Sequence, residues 1–83
     1  MTYEIHWWDS ALKAADRFMA DDPVGLLQVF ASLDLLAQEP RPDGSFAYGS
    51  PDIRRVQIGM YRMIYEIDDA VITITVMHVG RAA

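Results

Sequence analysis

Arg55, Gln57 and Arg62 are the side chains best suited to chemistry in this sequence, and they lie in the run "RRVQIGMYRMIYEID", residues 54 to 68. Three of the chain's seven basic residues fall there, although the whole chain carries net charge −5. A guanidinium presents forked donors that match phosphate oxygens, and it keeps its proton near neutrality. Two of them on one rigid strand pair can hold a phosphodiester and stabilise the charge that builds on it during cleavage. Thr73 and Thr75, further along, add neutral hydrogen-bonding capacity beside Gln57. There is also a plainer reading, because exposed sheet faces commonly carry arginine and threonine. Arg55 paired with Glu66 or Asp52 would then be a surface ion pair worth about 0–1 kcal/mol.

The elements that must position these residues follow from periodicity and punctuation. "TYEIHW" alternates and is aromatic-rich, which predicts a strand over about residues 2–8. Asp9 is expected to cap a helix over "SALKAADRFMA", where Leu12, Ala15, Phe18 and Met19 recur at helical spacing. Asp22 as N-cap with Pro23 at the first helical position starts a second helix, about 23–38, with a stripe of Leu26, Val29, Phe30, Leu33, Leu36 and Ala37. "RPDGSFAYGSPD", residues 41–52, is rich in turn formers and is expected to be an exposed loop. A strand meander follows, turning at Gly59-Met60 and again at Asp68-Asp69. The order is β-α-α-β-β-β, an α+β chain with two helices packed on one face of a small antiparallel sheet.

Register divides the meander into two faces. Cross-strand partners point to the same side, and alternation sends the next residue to the other. Val56, Ile58, Tyr61, Met63, Tyr65, Ile72, Ile74 and Val76 then face the helices. Arg55, Gln57, Arg62, Ile64, Thr73, Thr75 and Met77 face away, and Arg81 joins them if the last strand runs on without interruption. Arg54 has the other parity and belongs at the sheet margin. Strict alternation sends His78 to the helix side, with Tyr61 and Tyr65, so no proton shuttle is expected beside the arginines.

Length and composition bound what else is possible. Eighty-three residues are expected to form one domain, 1–83. With no cysteine there is neither a disulfide framework nor thiolate chemistry. His6 and His78 lack ligand spacing, so no metal or other cofactor is expected. No run of 18 apolar residues and no leader pattern is present, which argues against a membrane span or secretion and fits a cytoplasmic protein. Charge is uneven: residues 1–40 hold seven acids against two basic residues, while residues 41–83 hold five of each. A polyanion would be repelled by the first half and tolerated only locally on the second.

The segment "IRRVQIGMYRMIYEIDDAVITITVMHVG" resembles the C-terminal sheet of the RelE/ParE superfamily of bacterial toxins. Basic residues alternate with apolar ones, a glycine-containing turn precedes "YR-x-x-Y", a tight acidic turn follows, and a β-branched strand ends near "VG". "YEIHW", "SALKAADRF" and "EPRPDG" upstream keep the family's order. The resemblance implies a type II toxin, an endoribonuclease that cleaves mRNA on the translating ribosome and inhibits translation until a cognate antitoxin silences it. In that reaction the 2′-hydroxyl attacks the adjacent phosphate. Arg55 matches a basic position on the family's second strand, Arg62 the arginine of "YR", and Arg81 the residue after "VG". Gln57 stands where many members carry a second lysine or arginine. Ala82 occupies the usual next basic position, and the later tyrosine has no counterpart. On this reading Arg62, Arg55 and Arg81 are catalytic, and Arg55, Gln57, Arg62 and Thr75 bind phosphate. The alternatives are a ParE-like toxin that inhibits DNA gyrase by protein contact and a catalytically weak antitoxin-binding remnant.

Overall fold

Two helices lie against one face of a five-stranded sheet in a computed structural model that describes residues 1–82. The order is β1 (Glu4–Trp7), α1 (Asp9–Asp21), α2 (Pro23–Gln38), β2 (Ser45–Ser50), β3 (Ile53–Ile58), β4 (Tyr61–Asp68) and β5 (Thr73–Arg81). Within the sheet the strands run β1-β5-β4-β3-β2. The expected α+β architecture holds, with two differences. Residues 41–52 contain a fifth strand, β2, at the sheet edge. The sheet is also mixed, because β1 pairs with β5 in parallel while the other pairs are antiparallel. A parallel pair needs a long crossover, and here the crossover is nearly the whole chain.

The helix boundaries follow local chemistry. Asp9 is the first residue of α1 rather than its cap; Trp8 holds the N-cap position and makes no side-chain cap bond. Asp22 behaves as the sequence predicts, its Oδ1 accepting from the Gly25 amide at 3.1 Å with Pro23 just inside the helix. A Cβ at Gly25 would run into the Asp22 carboxylate and the Tyr61 ring, so the residue must be small for α2 to start this close to β4. The core fills the space between the layers: Leu26, Val29, Leu33 and Leu36 of α2 meet Tyr61, Met63, Tyr65 and Ile67 of β4 and Ile74, Val76 and Val79 of β5. Ala11 and Ala15 let α1 approach closely. No described helix is long and apolar enough to cross a membrane.

β4 alternates strictly between buried and open positions along its eight residues. At the first turn Ile58 pairs with Tyr61 around Gly59, whose φ of +60° is one that glycine adopts without penalty. The second connection is longer than two residues. β4 continues through Asp68 and β5 begins at Thr73, with the Asp68 carboxylate accepting from the Ala70 and Val71 amides. Beyond it, β5 contains a bulge. Tyr65 pairs with Val76 but Ile64 pairs with His78, which leaves Met77 as one extra residue.

Candidate nucleic-acid interface

The helix-free face of β3, β4 and β5 is built from rows of cross-strand neighbours. One row is Gln57, Arg62 and Gly80; the next is Arg55, Ile64 and His78; the third is Ile53, Glu66 and Thr75. Arg55 and Arg62 are diagonal neighbours, a relation that places Cα atoms about 7–8 Å apart. With Gln57, Gly44 and Phe46 they line a hollow of about 190 Å³. The Gln57 amide donates to the Gly59 carbonyl at 3.2 Å, which fixes its orientation and leaves a second N–H and its carbonyl oxygen for a ligand. Neither Arg55 nor Arg62 pairs with a carboxylate among the described residues. The predicted cation pair is present and unneutralised.

Of the other four arginines, Arg41, Arg54 and Arg81 are engaged, while Arg17 lies exposed on α1. Arg54 sits at the helix-side margin, as its parity requires, and donates to the Ser45 hydroxyl and carbonyl at 3.1 and 2.9 Å, pinning β2 to β3. Arg41 bridges Asp52 and Asp69 at 2.9 and 3.2 Å. Asp69 also accepts from the Tyr3 hydroxyl at 2.6 Å, and that bond, then Arg41, holds its carboxyl below the usual carboxylate range. Asp52, Glu66, Asp68 and Asp69 gather around a separate hollow at the end of the sheet away from Gly59. The open face is therefore polarised, cationic near the Gly59 turn and anionic at its far end.

Two predicted site residues lie elsewhere. Arg81 is not on the face of Arg55 and Arg62. It pairs across from Tyr61, donates to Asp21 Oδ2 at 2.6 Å, and stacks over the Phe18 ring 5.0 Å from its centroid. The extra residue Met77 is the cause, because it inverts the parity of everything after it. Met77 itself, expected on the open face, is that extra residue and lines a hollow beside α1. Thr75 does share the open face but sits opposite Glu66, four residues along β4 from Arg62, about 13 Å at the usual rise. It belongs to the acidic end.

The same inversion brings out His78, which strict alternation assigns to the core. It faces Ile64 on the open side, is exposed, and its imidazole lies against Gly80: a Cβ there would come within 2.9 Å of His78 Nε2. The inversion's trace in the sequence is only the apolar spacing of Val76 and Val79, whose meaning the packing supplies. Val76 and Val79 are both buried although three residues apart, and a regular strand cannot send both inward. The tyrosines are not substitutes for a proton carrier on this face. Tyr61 donates to Asp22 Oδ2 at 2.8 Å and Tyr65 to the Pro40 carbonyl at 2.6 Å, and burial is the main cause raising both phenols above their ordinary pKa. Among the described residues no cluster of three or more potential metal ligands occurs.

Comparison with known proteins fits this architecture. Residues 8–83 match the family model described as the ParE toxin of type II toxin-antitoxin systems, parDE. No curated protein sequence matches closely. The fold is similar to that of the isolated E. coli RelE toxin, with a TM-score of 0.85 and 23% identity over 98% of this chain and 85% of that one. It is also similar to the archaeal RelE–RelB complex from Pyrococcus horikoshii OT3, with TM-score 0.79, 20% identity and coverage of 98% and 96%. The RelBE2 toxin-antitoxin complex from Mycobacterium tuberculosis gives TM-score 0.77, 19% identity and coverage of 98% and 99%.

Proposed function

Because this chain belongs to the ParE toxin family of type II toxin-antitoxin systems, we propose that it is a RelE-like toxin that cleaves mRNA and so inhibits translation. The observation that carries the reading is the pair Arg55 and Arg62. Two guanidinium groups without carboxylate partners converge with Gln57 on one hollow of a rigid sheet. In a chain of net charge −5, two exposed cations side by side with no carboxylate partner make a local positive patch suited to an anion.

A phosphodiester fits that space. The forked donors bind its non-bridging oxygens, and they bind more strongly as negative charge grows on the phosphorus group when the neighbouring 2′-hydroxyl attacks. Guanidinium groups suit this work because they stay protonated throughout. The acidic half of the molecule repels further lengths of RNA, so the contact is short, which agrees with a toxin that relies on the ribosome to present its substrate. The proposed place of action is the cytoplasm, and the partner that restrains it is a cognate antitoxin. Solved complexes of RelE with RelB, to which this fold is similar, support that partner.

The test compares the wild type with Arg62→Ala, expressed without antitoxin. Wild type is expected to arrest growth and leave cleaved mRNA, and Arg62→Ala to cleave about 10²–10³-fold more slowly. Equal arrest by both forms would exclude a catalytic role for the pair. A ParE-like toxin that inhibits gyrase by protein contact is the competing reading, favoured by the withdrawal of Arg81 from the open face. It predicts lost supercoiling with intact mRNA, and a supercoiling assay beside the cleavage assay separates the two.

A further inference from the structure

Phosphodiester cleavage by a 2′-hydroxyl needs more than charge stabilisation, because the departing 5′-oxygen leaves as a strong base unless it is given a proton. Arginine does not readily give one up. Tyr61 and Tyr65 point into the core with their hydroxyls engaged, and Arg81 is held by Asp21. Glu66 and Asp68 stand towards the acidic end. His78 is the remaining proton-exchanging side chain near Arg62, and resting on the nuclease reading above we infer that it is the general acid of the reaction.

Three observations on different parts of β5 support the assignment. The bulge at Met77 turns His78 onto the open face, where it is exposed and stands diagonally across from Arg62. Gly80, the direct neighbour of Arg62, has no side chain, and the imidazole fills the space a Cβ would need. The ring thereby leans from its own row into that of Arg62. Arg55 and His78 flank Ile64 from opposite sides, so a phosphate held between Arg55 and Arg62 has the imidazole on the side away from β3.

The step balances as follows. A lone pair of the 2′-oxygen forms the new bond to phosphorus while the bond from phosphorus to the 5′-oxygen breaks, its electron pair staying on that oxygen. The 2′-hydroxyl proton passes to water, and the imidazolium of His78 gives its Nε2 proton to the 5′-oxygen. The products are a 2′,3′-cyclic phosphate and a 5′-hydroxyl, with neutral imidazole regaining its proton from solvent.

The experiment uses ribosomes programmed with a short mRNA, either unmodified or carrying a 5′-bridging sulfur at the mapped cleavage site. A thiolate leaves without protonation, so a general acid is no longer needed. His78→Ala is expected to cleave unmodified mRNA about 10²-fold or more slowly but the sulfur-containing one at close to the wild-type rate, whereas Arg62→Ala is slow on both. Gly80→Ala, which displaces the imidazole while leaving the residue in place, is expected to reproduce the His78→Ala pattern. His78→Ala that is slow on both substrates while melting like wild type, or fast on both, overturns the assignment and leaves the nuclease reading intact. Wild type that cuts neither substrate overturns both.

Discussion

Arg62 and Arg81 are the same residue type in adjacent rows of one strand pair, yet they live on opposite faces and do opposite things. Arg81 lies on the covered side, fixed by the Asp21 carboxylate and flanked by the Phe18 and Tyr61 rings. Arg62 lies on the open side with no acid to neutralise it. On the covered face every buried side-chain polar atom among the described residues has its partner, as a face optimised for stability requires. The open face keeps its strong donors free. A cation spent on packing is thus distinguished from one held for a ligand by its partners, whatever its residue type.

The contrast is sharpest where the two faces are attacked separately. Met63 is fully buried in β4, and Met63→Ala should destabilise the protein by about 2–5 kcal/mol in urea unfolding, with cleavage falling only as the folded fraction falls. Arg62→Ala should do the reverse, raising the barrier to RNA cleavage by about 2.7–4 kcal/mol while moving stability by less than about 0.5 kcal/mol. Gly59→Ala puts a side chain at φ +60° and should cost about 1–2 kcal/mol, read as a lower urea midpoint. Arg81→Ala should lower Tm more than Arg62→Ala does and leave cleavage per folded molecule unchanged. If it abolishes cleavage instead, the division between the faces is wrong.

Acid provides the gentlest probe. The Tyr61 hydroxyl first, then the Gly25 amide, holds the Asp22 carboxyl below its usual range, and Asp69 is held low by Tyr3 and then Arg41. A depressed folded-state pKa means that the ionised form is the one the fold favours. The resulting stability is complete above the unfolded-state carboxylate pKa, near 4, and is lost as pH falls through the lower folded values. Thermal melts should therefore be flat from neutrality to about pH 5 and fall below about pH 4. Tyr61→Phe should shrink that acid-dependent fall, and an unchanged profile would show that the Asp22 bond contributes nothing.

The sequence was most informative where one local rule governed the outcome. Asp22-Pro23 set the start of α2, Gly59 set the first turn, and alternation in β3 and β4 across that turn placed Arg55, Gln57 and Arg62 together. β2 escaped because glycines, prolines and serines in residues 41–52 read as a loop, while its edge position tolerates a short, irregular strand. β1 read as a strand, but no local signal shows that its partner is β5, some seventy residues away. Arg81 and His78 were misplaced because parity was carried past an extra residue whose presence depends on packing Val76 and Val79 into the same core.

That extra residue works like a frame-shift in three dimensions. A chain with Met77 deleted would exchange the sides of everything that follows: His78 would turn in among the tyrosines, and Arg81 would swing out beside Arg62. Such a molecule would hold three positive charges over its substrate and nothing to protonate what departs. A strand can thus trade grip for turnover through the length of one residue, with no side chain replaced.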